Sequence, residues 1–255
     1  MVWGFGYHYT GSSVPRLDFL TRGYANVQAG DLLVGGYWVY NPNTFAGVIH
    51  APSLVINNVG LQNPYGVTDT THPYFNSPFW LRCAGGETYI DGTHSFSGGG
   101  NEWTFYITLW RGSDGEIYNS AGTSHSSNGN TDTTSTDTHT APALASVPSN
   151  AVAISIMGQA QGNSGASPLS WNGPWQKAVS VTGSVSNDSL AIFYNLVETG
   201  SVTPPTLTWS DFGAAHAAVS FFLKWDGVTL PPSGGGGSGP AGATGGNGGN
   251  LLASI

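Results

Sequence analysis

Charged side chains are scarce in this chain: Asp, Glu, Lys and Arg together make up 8% of its 255 residues. Solubility therefore rests on hydroxyl and amide groups, a composition suited to a rigid protein whose faces are partly covered by neighbours. Basic residues are the scarcest, with only Lys177, Lys224 and four arginines against a net charge of -8. No cluster of them could neutralise a run of phosphates, which excludes nucleic acid as a partner. Cys83 is the single cysteine. That rules out an intrachain disulfide and the Cys-rich zinc sites, and predicts a buried, inert thiol. No stretch approaches the roughly 18 consecutive apolar residues that span a bilayer. The opening MVWGFGYHYTGSSVP has no basic region followed by an apolar run, so the expectation is a soluble chain made without a secretory signal and without membrane insertion.

Helical periodicity is missing as well; what recurs is a period of two. In NEWTFYITLWRG, from Asn101 to Gly112, Trp103, Phe105, Ile107 and Leu109 alternate with Glu102, Thr104, Tyr106, Thr108 and Trp110. Aromatic residues occur on both faces, so this segment is predicted to be a central strand touching protein on each side. LLVGGYWVY (Leu32 to Tyr40) is a second strand, in which Gly35-Gly36 predicts a bulge or a close backbone approach. AVAISIM after Asn150, KAVSV (Lys177 to Val181), SLAIFYNLV (Ser189 to Val197) and AAVSFFLKW (Ala217 to Trp225) repeat the pattern, with turn residues in every gap, Asp211 to Gly213 among them.

The N-terminal side is less regular. Residues 1–15 read as an arm or an irregular first strand, and Gly86 to Phe96 holds one more strand. Short strands are predicted near Ser53 to Val59 and Trp80 to Ala84. Between them Asn63-Pro64, His72-Pro73 and Ser77-Pro78 argue for a long contact loop, Gly60 to Pro78, bearing Tyr65, Tyr74 and Phe75. The polar tract NSAGTSHSSNGNTDTTSTDTHT, from Asn119 to Thr140, reads as a pair of exposed Ser/Thr-rich strands in preference to a linker, and marks a division of the chain. The fold class is thus all-β, a β-sandwich or jelly-roll-like domain over residues 16–230.

Residues 231–255 differ in kind. From Gly239 the sequence runs GPA-GAT-GGN-GGN, with Gly239, Gly242, Gly245 and Gly248 at every third place, the spacing a collagen-like triple helix requires at its axis. Four triplets would extend about 37 Å at roughly 3.1 Å per residue. Leu251, Leu252 and Ile255 supply an apolar end able to insert into a partner. A flexible linker is the alternative.

Little in the chain points to chemistry. Glu87, Asp91 and Glu102 form no carboxylate-pair pattern. Gly162-Asn163-Ser164-Gly165 lacks a full nucleophile elbow, and His125, Asp132, Asp137 and His139 share one tract without metal-ligand spacing. Phosphate and dinucleotide fingerprints are missing, and no cofactor is predicted. The aromatic residues are more informative: alternation turns Trp103 and Trp209 inward and leaves Trp38, Trp110, Trp171 and Trp175 for an exposed or interfacial face, where aromatic anchors are enriched.

The order AGDLLVGGYWV, EWTFYITLWRG, PSNAVAISIMG and LTWSDFGAAHAAVSFFLK resembles a β-sandwich of tailed-bacteriophage virion proteins, especially minor tail proteins of phages infecting actinobacteria. Gly30 to Val34, Trp110 to Gly112, Pro148 to Ile156 and Ala217 to Lys224 carry the resemblance, which spans residues 16 to 226; the stretch from Ala46 to Trp80 departs from it. It implies a non-enzymatic virion component, synthesised in the host cytoplasm and placed in the tail. Expected partners are other virion proteins, further copies of the chain with a trimer favoured, and a host-surface glycan. A capsid decoration protein and an envelope carbohydrate-binding module are the alternatives.

Overall fold

A computed structural model describes residues 3–10, 13–22, 26–40, 53–56, 59–60, 67–69, 74–93, 102–119, 121–122, 127–132, 136–160, 168–182, 189–197, 200, 202–213 and 215–224. These form seventeen strands and one short 3-10 turn, Leu20–Arg22, with no α-helix among the described residues. The first nine strands are β1 (Trp3–Thr10), β2 (Ser13–Asp18), β3 (Leu32–Tyr40), β4 (Ser53–Ile56), β5 (Val59–Gly60), β6 (Val67–Asp69), β7 (Tyr74–Arg82), β8 (Tyr89–Thr93) and β9 (Glu102–Trp110). The remainder are β10 (Asn128–Asp132), β11 (Thr136–Thr140), β12 (Ala151–Ala160), β13 (Pro168–Trp171), β14 (Gln176–Thr182), β15 (Ser189–Val197), β16 (Thr206–Gly213) and β17 (Ala215–Lys224).

Four antiparallel sheets result. A front sheet has the order β1-β9-β3-β7-β6, a middle sheet β10-β17-β12-β15-β14, a back sheet β11-β16-β13, and a small sheet β2-β8-β4-β5. Everything up to Trp110 builds the front and small sheets, and everything from Asn128 builds the middle and back sheets. The polar tract before Thr140 does divide the chain. Its two strands, however, do not pair with each other: β10 joins β17, and β11 joins β16.

Front and middle sheets stack strand over strand, with β14 against β1 and β9, β15 against β9 and β3, β12 against β3 and β7, and β17 against β7 and β6. The alternating residues Val152, Ile154 and Ile156, Leu190 and Ile192, and Ala217, Val219, Phe221 and Leu223 share one buried cluster with Leu32, Val34, Trp80 and Trp110 of the front sheet. This is the sandwich-like layer that period two predicts. The other face of the middle sheet is buried too. Ala151, Ala153, Met157, Ala191, Phe193, Ala218 and Phe222 cluster with Leu207 and Trp209 of the back sheet, so the middle sheet is covered on both sides and its strands carry almost no charge.

Several expectations are corrected. Of the two readings of residues 1–15, an arm or an irregular first strand, residues 3–10 take the strand, and a regular one: β1 pairs residue for residue with β9, from Trp3 opposite Leu109 to Thr10 opposite Glu102. The contact loop proposed for Gly60 to Pro78 contains β6 and the first half of β7, so Tyr74 and Phe75 are strand residues. Pro78 is tolerated because β6 partners only Tyr74 to Asn76, leaving β7 with a ladder on the β3 side alone at the proline. Asp211 to Gly213 is the end of β16, not a turn. At Gly35-Gly36 the ladders run without a bulge. Of the two predicted uses the close approach is the one found: a Cβ on Gly36 would stand 2.6 Å from Ile156 Cδ1 and 2.7 Å from its Cγ2. The glycine-rich extension, including Gly239, Gly242, Gly245, Gly248, Leu251, Leu252 and Ile255, lies outside the described residues.

Candidate interaction surface

At one end of the front sheet, the first residue before β3 meets the first residue after β9. Gly30, with φ of 87°, takes the left-handed turn that lets the chain enter β3, and Gly112, with φ of 88°, takes the chain out of β9. Between these turns Arg111 reaches Asp31. Its Nε donates to Oδ1 at 2.8 Å and its Nη2 to Oδ2 at 2.9 Å. Asp31 is 1% exposed, and Oδ2 also accepts the Gln28 N–H at 2.9 Å. A carboxylate taken out of water this completely requires such a bidentate partner.

The clasp extends sideways. Cys83 N–H donates to Asp31 O at 2.7 Å and Gly30 N–H to Cys83 O at 2.9 Å, while Gly86 N–H reaches Val27 O at 2.9 Å. Glu87, a sequence-level candidate acid, is used to close the adjacent turn, accepting from Ala84 N–H at 2.6 Å and Gly85 N–H at 3.1 Å. Cys83 is buried, and that burial, with Glu87 and Asp31 nearby, pushes its thiol up to about 12. The end of the sheet is therefore a rigid, self-satisfied loop platform. Sequence reading noted both of its motifs but had no signal that they touch, because 80 residues separate Asp31 from Arg111.

The aromatic candidates scatter. Trp110 is corrected from surface anchor to core residue: it is 1% exposed, its indole N–H donates to Thr108 Oγ1 at 2.8 Å, and its ring meets the edge of Tyr194 across the sandwich at 5.8 Å. The face judged outward in β9 is the one turned to the middle sheet. Trp175 is likewise interior, 4% exposed, with its indole N–H on Thr203 O at 2.9 Å, because the turn after β13 folds it into the cluster between middle and back sheets.

Trp171 is half-buried. It donates to Trp175 O at 2.8 Å, leans on Phe193 at 5.1 Å, and has Lys177 Nζ 5.7 Å from its ring centre. Next to it on the edge strand β13, Leu169 stands 64% exposed; with Leu20, at 71%, it is one of two exposed large apolar residues among those described, and the sequence analysis singles out neither. Trp38, Tyr74 and Phe75 are brought by register to the same end of the front sheet, opposite Asn76, Tyr40 and Val39 respectively; their side chains lie outside the described set, as does Tyr65 altogether.

Among the described residues no group of three or more His, Cys, Asp or Glu is placed to hold a metal ion, and no helix is long and apolar enough to cross a membrane. The arrangement offers ordered loops and one aromatic edge, with the polar groups of the clasp already engaged in holding strand ends. Comparison with family models, with curated proteins and with solved structures finds no match to this chain.

Proposed function

We propose that this chain is a non-enzymatic structural component of a tailed-phage virion, a minor tail protein at the tail tip or fibre that assembles as a symmetric oligomer, with a trimer favoured. The observation that supports it best is the clasp. Gly30-Asp31 and Trp110-Arg111-Gly112, two of the segments on which the resemblance rests, meet through two charge-assisted hydrogen bonds. Residues committed to one another in this way serve architecture, tying the entry of β3 to the exit of β9.

The stacked sheets and the low charge fit the same reading, since a structural subunit needs a stiff body with surfaces that neighbours can cover. Jelly-roll-like connectivity and collagen-like packing of the triplets from Gly239 to Gly248 belong to the proposal, with Leu251, Leu252 and Ile255 as the apolar end that seats in another virion protein. Host-surface glycan is the external partner. Locating the chain in imaged particles tests it: density at the tail is expected, density on the capsid shell would make it a decoration protein, and absence from particles would sink the proposal.

A second reading, an envelope carbohydrate-binding module, is favoured by the partly exposed Trp171 beside Lys177. It requires glycan binding that Trp171→Ala removes while the fold stays intact.

A further inference from the structure

We propose that β10 and β11 form an acid-released strap, latched through the stacked imidazoles of His139 and His216. His139 comes from β11 of the back sheet and His216 from β17 of the middle sheet. Their rings lie 5.5 Å apart and 13° from parallel, at 5% and 0% exposure. His139 Nε2 stands 3.2 Å from Asn130 Oδ1 of β10, and Asn130 Nδ2 donates to Thr140 O of β11 at 2.8 Å. One histidine thus joins both strands to the buried face of β17.

What makes this a latch is the composition of the strap. β10 reads NGNTD and β11 reads TDTHT, with no apolar side chain in either. Hydrophobic burial, which holds the other strands of these sheets, contributes nothing from their own side chains. Among the contacts that hold them are the ladders, the Asn130 bonds, Asn128 Nδ2 donating to Ala143 O at 3.4 Å, Thr140 Oγ1 against Thr206 Oγ1 at 2.9 Å, and the histidine stack. Strands of this kind belong to the low-stability end of a fold, where local opening precedes global unfolding.

The surroundings decide the sign. Across the middle sheet the positions flanking His216 are Asp132 on β10 and Gln159 on β12, with Ser189 of β15 beyond. Gln159 and Ser189 are both fully buried. Leu207 of β16 is opposite His139; Asp137 is two residues away on β11, and Asp211 lies in the bulged stretch of β16. Two imidazoliums stacked 5.5 Å apart in the interior would repel and lack water, so the closed strap disfavours charging both rings.

Once open, both rings reach solvent and each protonates below about pH 6.5. Opening therefore takes up protons: the strap is held fully above that pH and is lost as pH falls, its opening equilibrium growing about tenfold per pH unit for each proton bound.

Hydrogen exchange on the full chain at pH 7.5 and 5.0, corrected for intrinsic rates, tests this. Amides of β10 and β11 are expected to lose about tenfold or more of their protection at pH 5.0 while those of β12 and β15 keep theirs. In His139→Gln, which keeps an amide for Asn130 but cannot charge, the loss shrinks. Equal or greater protection of β10 and β11 at pH 5.0, a loss shared equally by β12 and β15, or an undiminished loss in His139→Gln would each overturn the proposal. The wild-type measurement decides even where the variant does not fold.

Discussion

Asp31 and Arg111 illustrate how much a single side-chain pair can be asked to do. Asp31 is interior whereas Arg111 is part-exposed, with side-chain exposures of 1% and 39%, so removing the guanidinium strands the carboxylate away from water. Arg111→Met is expected to cost about 3 kcal/mol, the lower end of what breaking a buried ion pair costs, and adding Asp31→Asn should recover part of it. The shift of the urea midpoint at constant slope is the measurement. Cys83 gives a second residue-scale expectation. With its thiol pushed up to about 12 from an ordinary 9.0, it stays protonated in the folded protein and should resist alkylation at pH 8 until the chain unfolds. A raised value means the thiol's contribution to stability is intact below pH 9 and is lost as pH climbs from there toward 12. Labelling in the presence and absence of denaturant checks the first statement and the alkaline limb of a stability profile checks the second. That this thiol would be buried was legible from its being solitary; that Asp31 and Arg111 would meet was not, since nothing local links one strand's entry to another's exit.

Among the elements, β3 and β12 set the spacing of the sandwich. Ile156 of β12 sits where a side chain on Gly36 of β3 would be, and a β-branched residue cannot swing its Cγ2 aside without leaving its rotamer well. Gly36→Ala is therefore expected to destabilise by about 1–3 kcal/mol through overpacking, and Ile156→Ala in the same chain should relieve the clash, so that the two changes combine to less than the sum of their separate effects. Thermal melts of the four proteins form the cycle that tests it. The strands themselves were largely readable: SLAIFYNLV occupies Ser189–Val197 as β15, and LLVGGYWVY occupies Leu32–Tyr40 as β3. Period two identifies such segments because their apolar residues must line one face. It failed where a proline was read as a break, as at Pro78 in β7. The third layer was also missed, because Ala151, Ala153, Ala191 and Ala218 are too small to register as a second apolar face although all are fully buried.

For the whole molecule, the proposal separates the body from its extension. Deleting Gly234 to Ile255 removes nothing that the described sheets contain, so the circular dichroism and melting temperature of the body should be unchanged within a degree or so, while native mass falls from oligomer to monomer. An oligomer that survives the deletion would move the assembly contact to the body, with β13 and its exposed Leu169 the first place to look. The candidate surface was the least legible part of the sequence. The sequence places Trp110 and Trp175 outward because alternation says which residues share a face but not which face meets another layer.

The division of the chain between sheets has a consequence for biosynthesis. By the time Trp110 has left the ribosome the front sheet has all its strands, yet Val34, Trp80 and Trp110 have nothing to lie against. Their cover comes from the middle sheet, and that sheet has β17, the last described strand in the chain, wedged between β10 and β12. The nascent first half must therefore wait with an apolar surface open until translation is almost finished, and when two copies are made side by side, the second half of one is an equally good lid for the first half of the other.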